Sequence, residues 1–338
     1  MSAALLVLAT TATVIGSLVY RNIALQRGII AKISSRTLHD RTVARGGGLV
    51  FASVFAIGIL VTWLRGGLPT SIMLALGVGS MAAAIVGFID DVYEVSALKK
   101  LGTQIGLAIW LFVVFYGPLY EQFFLNAGLI QRILATLTLI FIPVWLINLY
   151  NFIDGIDGLA IGSALFVCLT GMIVLALTAG SSVTFFLFAL LGASCLGFLF
   201  LNLPPARIFM GDAGSIFLGY SIAAILLLTV TNGEISAWTW ICMLSYFIGD
   251  TTTTTVSRMF LVKRWYGVHR SHAYQNLARV YKSHGKVTYG VAAYNILWAL
   301  PLSVWSAIRS EWAPFAALLS VAPPVVWTLR FGPRLSSD

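Results

Sequence analysis

Carboxylates gather in three short segments of this 338-residue chain, and histidine and arginine gather in a fourth. Residues 87–93 carry the adjacent pair Asp90 and Asp91, with Lys99 and Lys100 close behind. Two neighbouring carboxylates at a helix end can hold a divalent cation, or one can act as a base while the other fixes geometry. A solvated helix end explains the pair equally well. Residues 148–159 set Asn148, Asn151, Asp154 and Asp157 at every third position, so helical stretches bring them near one face. Gly155 and Gly158 let the chain break there and let a ligand approach the backbone. Residues 202–215 hold Asn202, Arg207 and Asp212, the last flanked by Gly211 and Gly214 just ahead of an apolar run. The N–H groups of a starting helix suit phosphate, and Asp212 could hold Mg2+ that bridges phosphate oxygens. A plain N-cap role accounts for Asp212 but not for its glycines. The fourth segment contains His269, Arg270 and His272. Zinc would need a nearby Cys or a third His at ligand spacing. Phosphate fits better, because Arg and His donate to it, and a plain solvated loop is the alternative.

Apolar runs separate these segments and must position them. Hydrophobic residues make up 59% of the chain and charged residues 10%, against about 25% charged in a soluble domain. Eleven runs approach the length of about 20 residues that crosses a bilayer: 2–20, 46–64, 70–89, 101–117, 131–149, 159–179, 183–203, 214–231, 236–256, 287–308 and 313–329. Lipid offers backbone polar groups no partner, so each run is expected to be a helix. The sequence predicts an all-α polytopic membrane protein, a single domain over residues 1–338. No Lys or Arg precedes the first run, while Arg21, Arg27 and Lys32 follow it. That pattern argues against a cleaved signal peptide and places the N-terminus outside, in the periplasm. Eleven crossings then leave the C-terminus in the cytoplasm. Of the 21 Lys and Arg residues, only Arg65, Arg132 and Arg309 fall on the outer side. The positive-inside rule says little about acids. Even so, Asp40, Asp90, Asp91, Asp154, Asp157, Asp212, Asp250 and Asp338 all fall on or near the inner side. Carboxylates near membrane-helix ends are costly unless paired, solvated or metal-bound. Their gathering predicts a polyanion and metal site at the cytoplasmic boundary. Cys168, Cys195 and Cys242 lie inside apolar runs and read as small packing residues.

In this order and on this topology, the four segments resemble the polyprenyl-phosphate N-acetylhexosamine-1-phosphate transferases, the MraY and WecA group of glycosyltransferase family 4. The resemblance spans roughly residues 36–280 and is carried most by 148–159 and 209–215. The run Arg45-Gly46-Gly47-Gly48 and the pair Asp90 and Asp91 agree with it. His269-Arg270-Ser271-His272 departs from the His-rich string of the peptidoglycan enzyme and is closer to the WbpL-type initiators of O-antigen synthesis. Glu94 also stands where the peptidoglycan enzyme's pattern has lysine. The resemblance implies transfer of an N-acetylaminosugar 1-phosphate from a UDP-N-acetylaminosugar to undecaprenyl phosphate, with release of UMP. It implies Mg2+ (or Mn2+) as cofactor, a bacterial inner-membrane location and the first membrane step of lipopolysaccharide O-antigen or related glycan synthesis. It implies no nucleic-acid partner and leaves a homodimer open. By the same resemblance Asp90, Asp91 and Asp212 are catalytic, with Asp212 and Asp91 on the metal. Arg45, Lys99, Lys100, Asn148, Asn151, Asp154, Asp157, Asn202, His269, Arg270 and His272 contact substrate. The nearest alternative is peptidoglycan-type phospho-muramoyl-pentapeptide transfer. A secondary transporter is more distant, because its polar site would lie near mid-membrane between repeats.

Overall fold

A computed structural model describes residues 3–30, 43–93, 95–261 and 271–333. Among the described residues the protein is all-helical. Its extended contacts are two isolated bridges, Ala44 with Ile30 and Ala44 with Ile208. Among the described residues nine helices are long and apolar enough to cross a membrane. They are α1 (Ala3–Gln26), α3 (Thr70–Tyr93), α4 (Ala97–Val114), α6 (Leu129–Ile153), α7 (Leu159–Leu177), α8 (Ser182–Asn202), α9 (Gly211–Thr231), α13 (His284–Ile308) and α14 (Ser310–Phe331). Shorter helices complete the order: α2 (Gly48–Leu64), α5 (Tyr116–Phe123), α10 (Ala237–Met243), α11 (Thr253–Leu261) and α12 (Ala273–Tyr281).

The two remaining runs expected to cross take other forms. The second is α2, apolar throughout but only 17 residues long. The ninth is broken: after α10 the chain passes through Ser245–Phe247 and a π-turn at Ile248–Thr252 before α11. A π-turn shifts the hydrogen-bond ladder by one residue and marks places where a helix is re-aimed. Asp250 sits in this one, buried. The three cysteines are buried and unbridged, as packing residues should be.

Helix α9 is the axis of the bundle, with 83% of its apolar window inside the protein. It packs most extensively on α3 and α6. In a bilayer, helices gain little from hiding apolar surface from lipid, so small residues that admit close backbone approach drive their association. Gly87 of α3 lies so close to α9 that a Cβ there would sit 2.2 Å from the Asp212 carbonyl oxygen. A Cβ on Gly48 of α2 would meet the Gly214 nitrogen at 2.1 Å. Gly87 of the first polar segment and Gly214 of the third therefore serve backbone contact. The chain before α2 docks on the chain before α9: Phe209 N–H donates to Ala44 C=O (2.9 Å), Gly47 N–H to Phe209 C=O (3.0 Å) and Gly48 N–H to Met210 C=O (2.9 Å). The end of α3 and the starts of α2 and α9 thus meet at one end of the bundle.

Gly219, mid-helix in α9 and remote from these ends, isolates the packing contribution. A Cβ there would lie 2.5 Å from Ile147 Cα. Gly219→Ala should destabilise the detergent-solubilised protein by about 1–3 kcal/mol, the usual cost of overpacking. A melting temperature equal to wild type would show that α6 and α9 do not meet this closely.

Candidate functional site

Asp91 explains how the site is assembled. Its side chain is fully buried, although it sits at the end of α3. One oxygen accepts the Asp212 N–H (2.9 Å) and the other the Ala213 N–H (3.1 Å), so α3 caps the N-terminus of α9. Two charge-assisted bonds at the positive end of a helix dipole are strong contacts. Arg45 Nε lies 2.8 Å from the same carboxylate and balances its charge. Gly211, at φ +66°, completes the fit: a Cβ there would fall 2.3 Å from an Asp91 oxygen.

Asp212 is the hub. The end of its side chain keeps some access to solvent. Arg45 Nη2 reaches Oδ1 at 3.4 Å, and Lys100 Nζ reaches Oδ2 at 3.4 Å. Lys100 also pairs with Asp90, whose Oδ1 accepts the Val95 N–H at 2.8 Å. Asn151 Nδ2 donates to Asp212 Oδ1 (3.2 Å) and to Ser215 Oγ (3.1 Å). Five of the expected residues, Arg45, Asp90, Asp91, Lys100 and Asn151, thus converge on Asp212 from three helix ends and one loop. Asp154 ends α6 beside them. It keeps part of its surface open but is crowded by protein. Desolvation, then the charge of Asp212, pushes its pKa well above the ordinary carboxylate value.

A second cluster forms around Asp157. Its Oδ2 accepts the Ala206 N–H (3.0 Å), and its Oδ1 lies 3.1 Å from His284 Nδ1. Asn202 Oδ1 accepts the Gly158 N–H (3.1 Å), while Asn202 Nδ2 donates to Ile208 C=O (2.8 Å). Thr288 Oγ1 donates to the Asp157 carbonyl (2.7 Å). Asn202 and Asp157, expected separately from two segments, therefore share one knot.

Other expected residues are placed differently. Asn148 uses its amide nitrogen on Gln104 Oε1 and on Val144 C=O, both at 2.8 Å, and so ties α6 to α4. Its helical spacing from Asn151 was read as a shared functional face, but the face it meets is another helix. His272 is 3% exposed, 3.4 Å from Asp250 and against the rings of Phe152 and Tyr274. Asp250 also accepts the N–H groups of Ala273 and Tyr274 at 3.1 Å and caps α12. His272 is thus packed at this cap rather than left open for phosphate. Lys99 is exposed. His269, Arg270 and Glu94 lie outside the described residues. Sequence reasoning missed Gln104, Ser215, His284 and Thr288. Ser215 closes the third segment, whereas Gln104, His284 and Thr288 stand in no motif and only the fold brings them to their partners.

Among the described residues no three His, Cys, Asp or Glu side chains form a ready cage for a metal ion. Mg2+ does not need one, because it takes one or two carboxylates and fills its shell with water and phosphate oxygens. Asp212 with Asp90 meets that demand. Asp91 does not, since both its oxygens are engaged by α9.

The raised pKa of Asp154 gives a stability signature. A fold that holds a proton more tightly than the unfolded chain does is stabilised below the ordinary value of 3.8. That contribution is lost as pH rises through the folded value, above which the ionised form is a cost. Asp154→Asn copies the protonated state. In metal-free buffer the melting temperature of this variant should therefore gain on wild type between about pH 5 and pH 8. A constant difference would show that Asp154 ionises normally.

Comparison with known proteins agrees with this geometry. The profile of glycosyl transferase family 4 matches residues 73–230, which include the aspartates of both knots. A Bacillus subtilis (strain 168) protein described as a probable undecaprenyl-phosphate N-acetylglucosaminyl 1-phosphate transferase is 36% identical over 273 residues, 79% of this chain and 74% of its own length. A phospho-N-acetylmuramoyl-pentapeptide-transferase of Heliobacterium modesticaldum is 35% identical over 203 residues, 55% of this chain and 60% of its own. A decaprenyl-phosphate N-acetylglucosaminephosphotransferase of Mycolicibacterium smegmatis is 31% identical over 222 residues, 60% of this chain and 54% of its own. Helices that can cross a bilayer, polar knots built from the matched region and a relative aligned over most of both chains lead to one conclusion: this chain belongs to glycosyl transferase family 4 and is a membrane phosphotransferase.

Proposed function

We propose that this enzyme transfers an N-acetylaminosugar 1-phosphate from a UDP-sugar to undecaprenyl phosphate. The products are UMP and a lipid-linked diphosphosugar that starts lipopolysaccharide O-antigen or a related surface glycan. The observation that carries this reading is Asp212, held between Arg45 and Lys100 at the N-terminus of α9. Two cations, a helix N-terminus and a carboxylate that faces solvent are what a meeting of two phosphates requires. The relatives named for transfer onto polyprenyl phosphates support the acceptor.

The chain's own groups account for the chemistry as follows. Arg45 and Lys100 are already paired with acids, so an arriving diphosphate exchanges one anionic partner for another and the cations need not be desolvated anew. Asp91 keeps the α9 N-terminus in place throughout. Mg2+ held by Asp212 and Asp90 would neutralise charge on the phosphate oxygens. The lipid phosphate has a second pKa of about 6 and is largely ionised at neutral pH, so no side chain need act as a base. Its oxygen attacks the phosphorus next to the sugar, the bond to the bridging oxygen breaks, and UMP leaves with that electron pair. Asn151 and Asp154, beside Asp212, would stand nearest the phosphates, while Asp157 and Asn202 would position the nucleoside. His269 and Arg270, by their residue types, would donate to the diphosphate or sugar.

The peptidoglycan-type reading draws support from the Heliobacterium relative. Glu94 and the sequence His269-Arg270-Ser271-His272 weigh against it, and they favour the O-antigen initiators.

The deciding experiment incubates purified protein with undecaprenyl phosphate, Mg2+ and radiolabelled UDP-aminosugars, then separates the nucleotides. UMP should be the first product, and Asp212→Asn should abolish it while the protein stays folded. UDP appearing first, as in attack at the anomeric carbon, would sink the assignment.

We further propose that the polar end of the bundle faces the cytoplasm and the N-terminus the periplasm. In a Cys-free background, Ser283→Cys should react only with membrane-permeant thiol reagents in intact cells. Ser181→Cys and Ser310→Cys should react with impermeant ones. Outside labelling at position 283 would reverse the orientation.

A further inference from the structure

Arg45 serves the anchor and the hub together. Its Nε lies 2.8 Å from Asp91, and its Nη2 reaches Asp212 at 3.4 Å. A guanidinium carries its donors in a rigid planar fork, so the direction of the fork follows from where the backbone holds the residue. No helix supplies that hold, because Arg45 stands in the chain ahead of α2. The hold comes from the end of α1. Tyr20 Oη donates to the Arg45 carbonyl at 2.8 Å, and the Arg45 N–H donates to the Ile29 carbonyl at 3.1 Å. Ile29 is itself folded back onto α1, its N–H on the Ala24 carbonyl at 2.9 Å. The donor and the acceptor of one backbone position are thus engaged by a single segment, residues 20–29.

The next residue confirms how closely that segment fits. Gly46 takes φ +84°, a conformation that glycine adopts without strain. A Cβ there would lie 2.6 Å from the Tyr20 hydroxyl and 3.1 Å from the Phe88 ring. The Arg45–Gly46 peptide therefore runs between Tyr20 of α1 and Phe88 of α3, and Phe88 shares a turn with Asp91. Tyrosine suits the place: its ring packs partly buried against the apolar core while its hydroxyl reaches a polar group at the end of the bundle.

We infer that Tyr20 is a positioning residue for the donor diphosphate: it holds the Arg45 backbone so that the guanidinium can exchange Asp212 for phosphate while its Nε stays on Asp91. The inference rests on the proposed UDP-sugar reading and names a residue of α1, outside all four sequence segments and outside the matched region 73–230. Binding to a cation whose backbone and pivot are already fixed avoids much of the entropy of ordering it. A plain structural tie between α1 and the chain ahead of α2 makes a different prediction. Losing it would weaken every ligand alike and would act independently of the side chain at position 45. A positioning role acts on phosphate-bearing ligands and only through the guanidinium.

The test measures dissociation constants in Mg2+ without lipid acceptor, with melting temperatures in parallel. Tyr20→Phe removes one oxygen atom and keeps the ring. It should weaken UDP-aminosugar about fivefold, the worth of one ordinary hydrogen bond. Uridine, which has no phosphate, should bind to this variant and to wild type equally. In an Arg45→Lys background the same Tyr20→Phe change should alter UDP-aminosugar affinity by less than about twofold, because an ammonium on a flexible stem needs no aligned fork and contacting residues couple non-additively. Unchanged UDP-aminosugar affinity in Tyr20→Phe, equal weakening of uridine, or the full loss repeated in the Arg45→Lys background would each overturn the inference. A wild-type protein that binds no UDP-aminosugar and forms no UMP would instead overturn the proposed function, so the two failures are distinct.

Discussion

The whole site hangs on one buried carboxylate. Asp91 closes the N-terminus of α9 and holds Arg45, so three chain segments distant in sequence share one anchor. A buried ion pair is costly to assemble and more costly to leave half-made. Here the cost is offset because every strong contact is used: two amide N–H groups at a helix dipole and one guanidinium nitrogen. Gly87, four residues before Asp91 on α3, makes the contact geometrically possible by letting the α3 backbone touch the start of α9. Gly211 removes the side chain that would displace the carboxylate. The glycines that read in sequence as phosphate cradles are therefore needed before any phosphate arrives.

This anchor separates two tasks. Asp212 stands immediately after the capped turn and gains a fixed position without giving up its carboxylate. Asp90, on the neighbouring residue of α3, turns to Lys100 instead. Adjacent aspartates thus have different fates, one consumed by structure and one left among exchangeable partners. The loop between α6 and α7 then joins the two knots. Asn151 and Asp154 belong to the Asp212 side, and Asp157 belongs to the side formed by Asn202 and α13. A three-residue step along one loop links the two clusters, which is the reach wanted for a substrate with phosphates at one end and a nucleoside at the other.

Much of this was legible in the chain. Long apolar runs announce helices because lipid permits little else, and nine appear at full length among the described residues. The ninth run reads as continuous because Ile, Phe and Thr are tolerated in a helix. It breaks at Leu244, and the π-turn that follows carries Asp250 to the cap of α12, a tertiary partner that no local pattern announces. The same limit explains Asn148 and His272. Spacing places a polar residue on a face, but whether that face meets ligand or another helix is decided by what packs against it. Gln104 and Asp250 are those partners, each from a separate run. His284 shows the converse. Nothing around it in sequence signals chemistry, and only the return of α13 to the bundle end brings it to Asp157.

Charge at the Asp212 knot gives the arrangement its direction. Four carboxylates, Asp90, Asp91, Asp154 and Asp212, face two fixed cations, Arg45 and Lys100. Desolvation and the charge of Asp212 raise the pKa of Asp154, which favours its protonated form and so lessens the excess of negative charge. On the proposed reading, a divalent cation would reverse that excess and favour ionised Asp154, whose neighbours would then include a net positive centre. Two phosphate substrates would next bring more negative charge than Arg45, Lys100 and one metal ion can balance. The remaining cations must come from elsewhere on the same end of the bundle. The chain supplies Lys263, Arg264 and Arg270 in the segment that leads to α12. Asp250 and Arg258 fix both ends of that segment: Asp250 caps α12, and Arg258 Nη1 lies 3.2 Å from Ser271 Oγ. On this reading the order of charge supply would be metal first, then substrates.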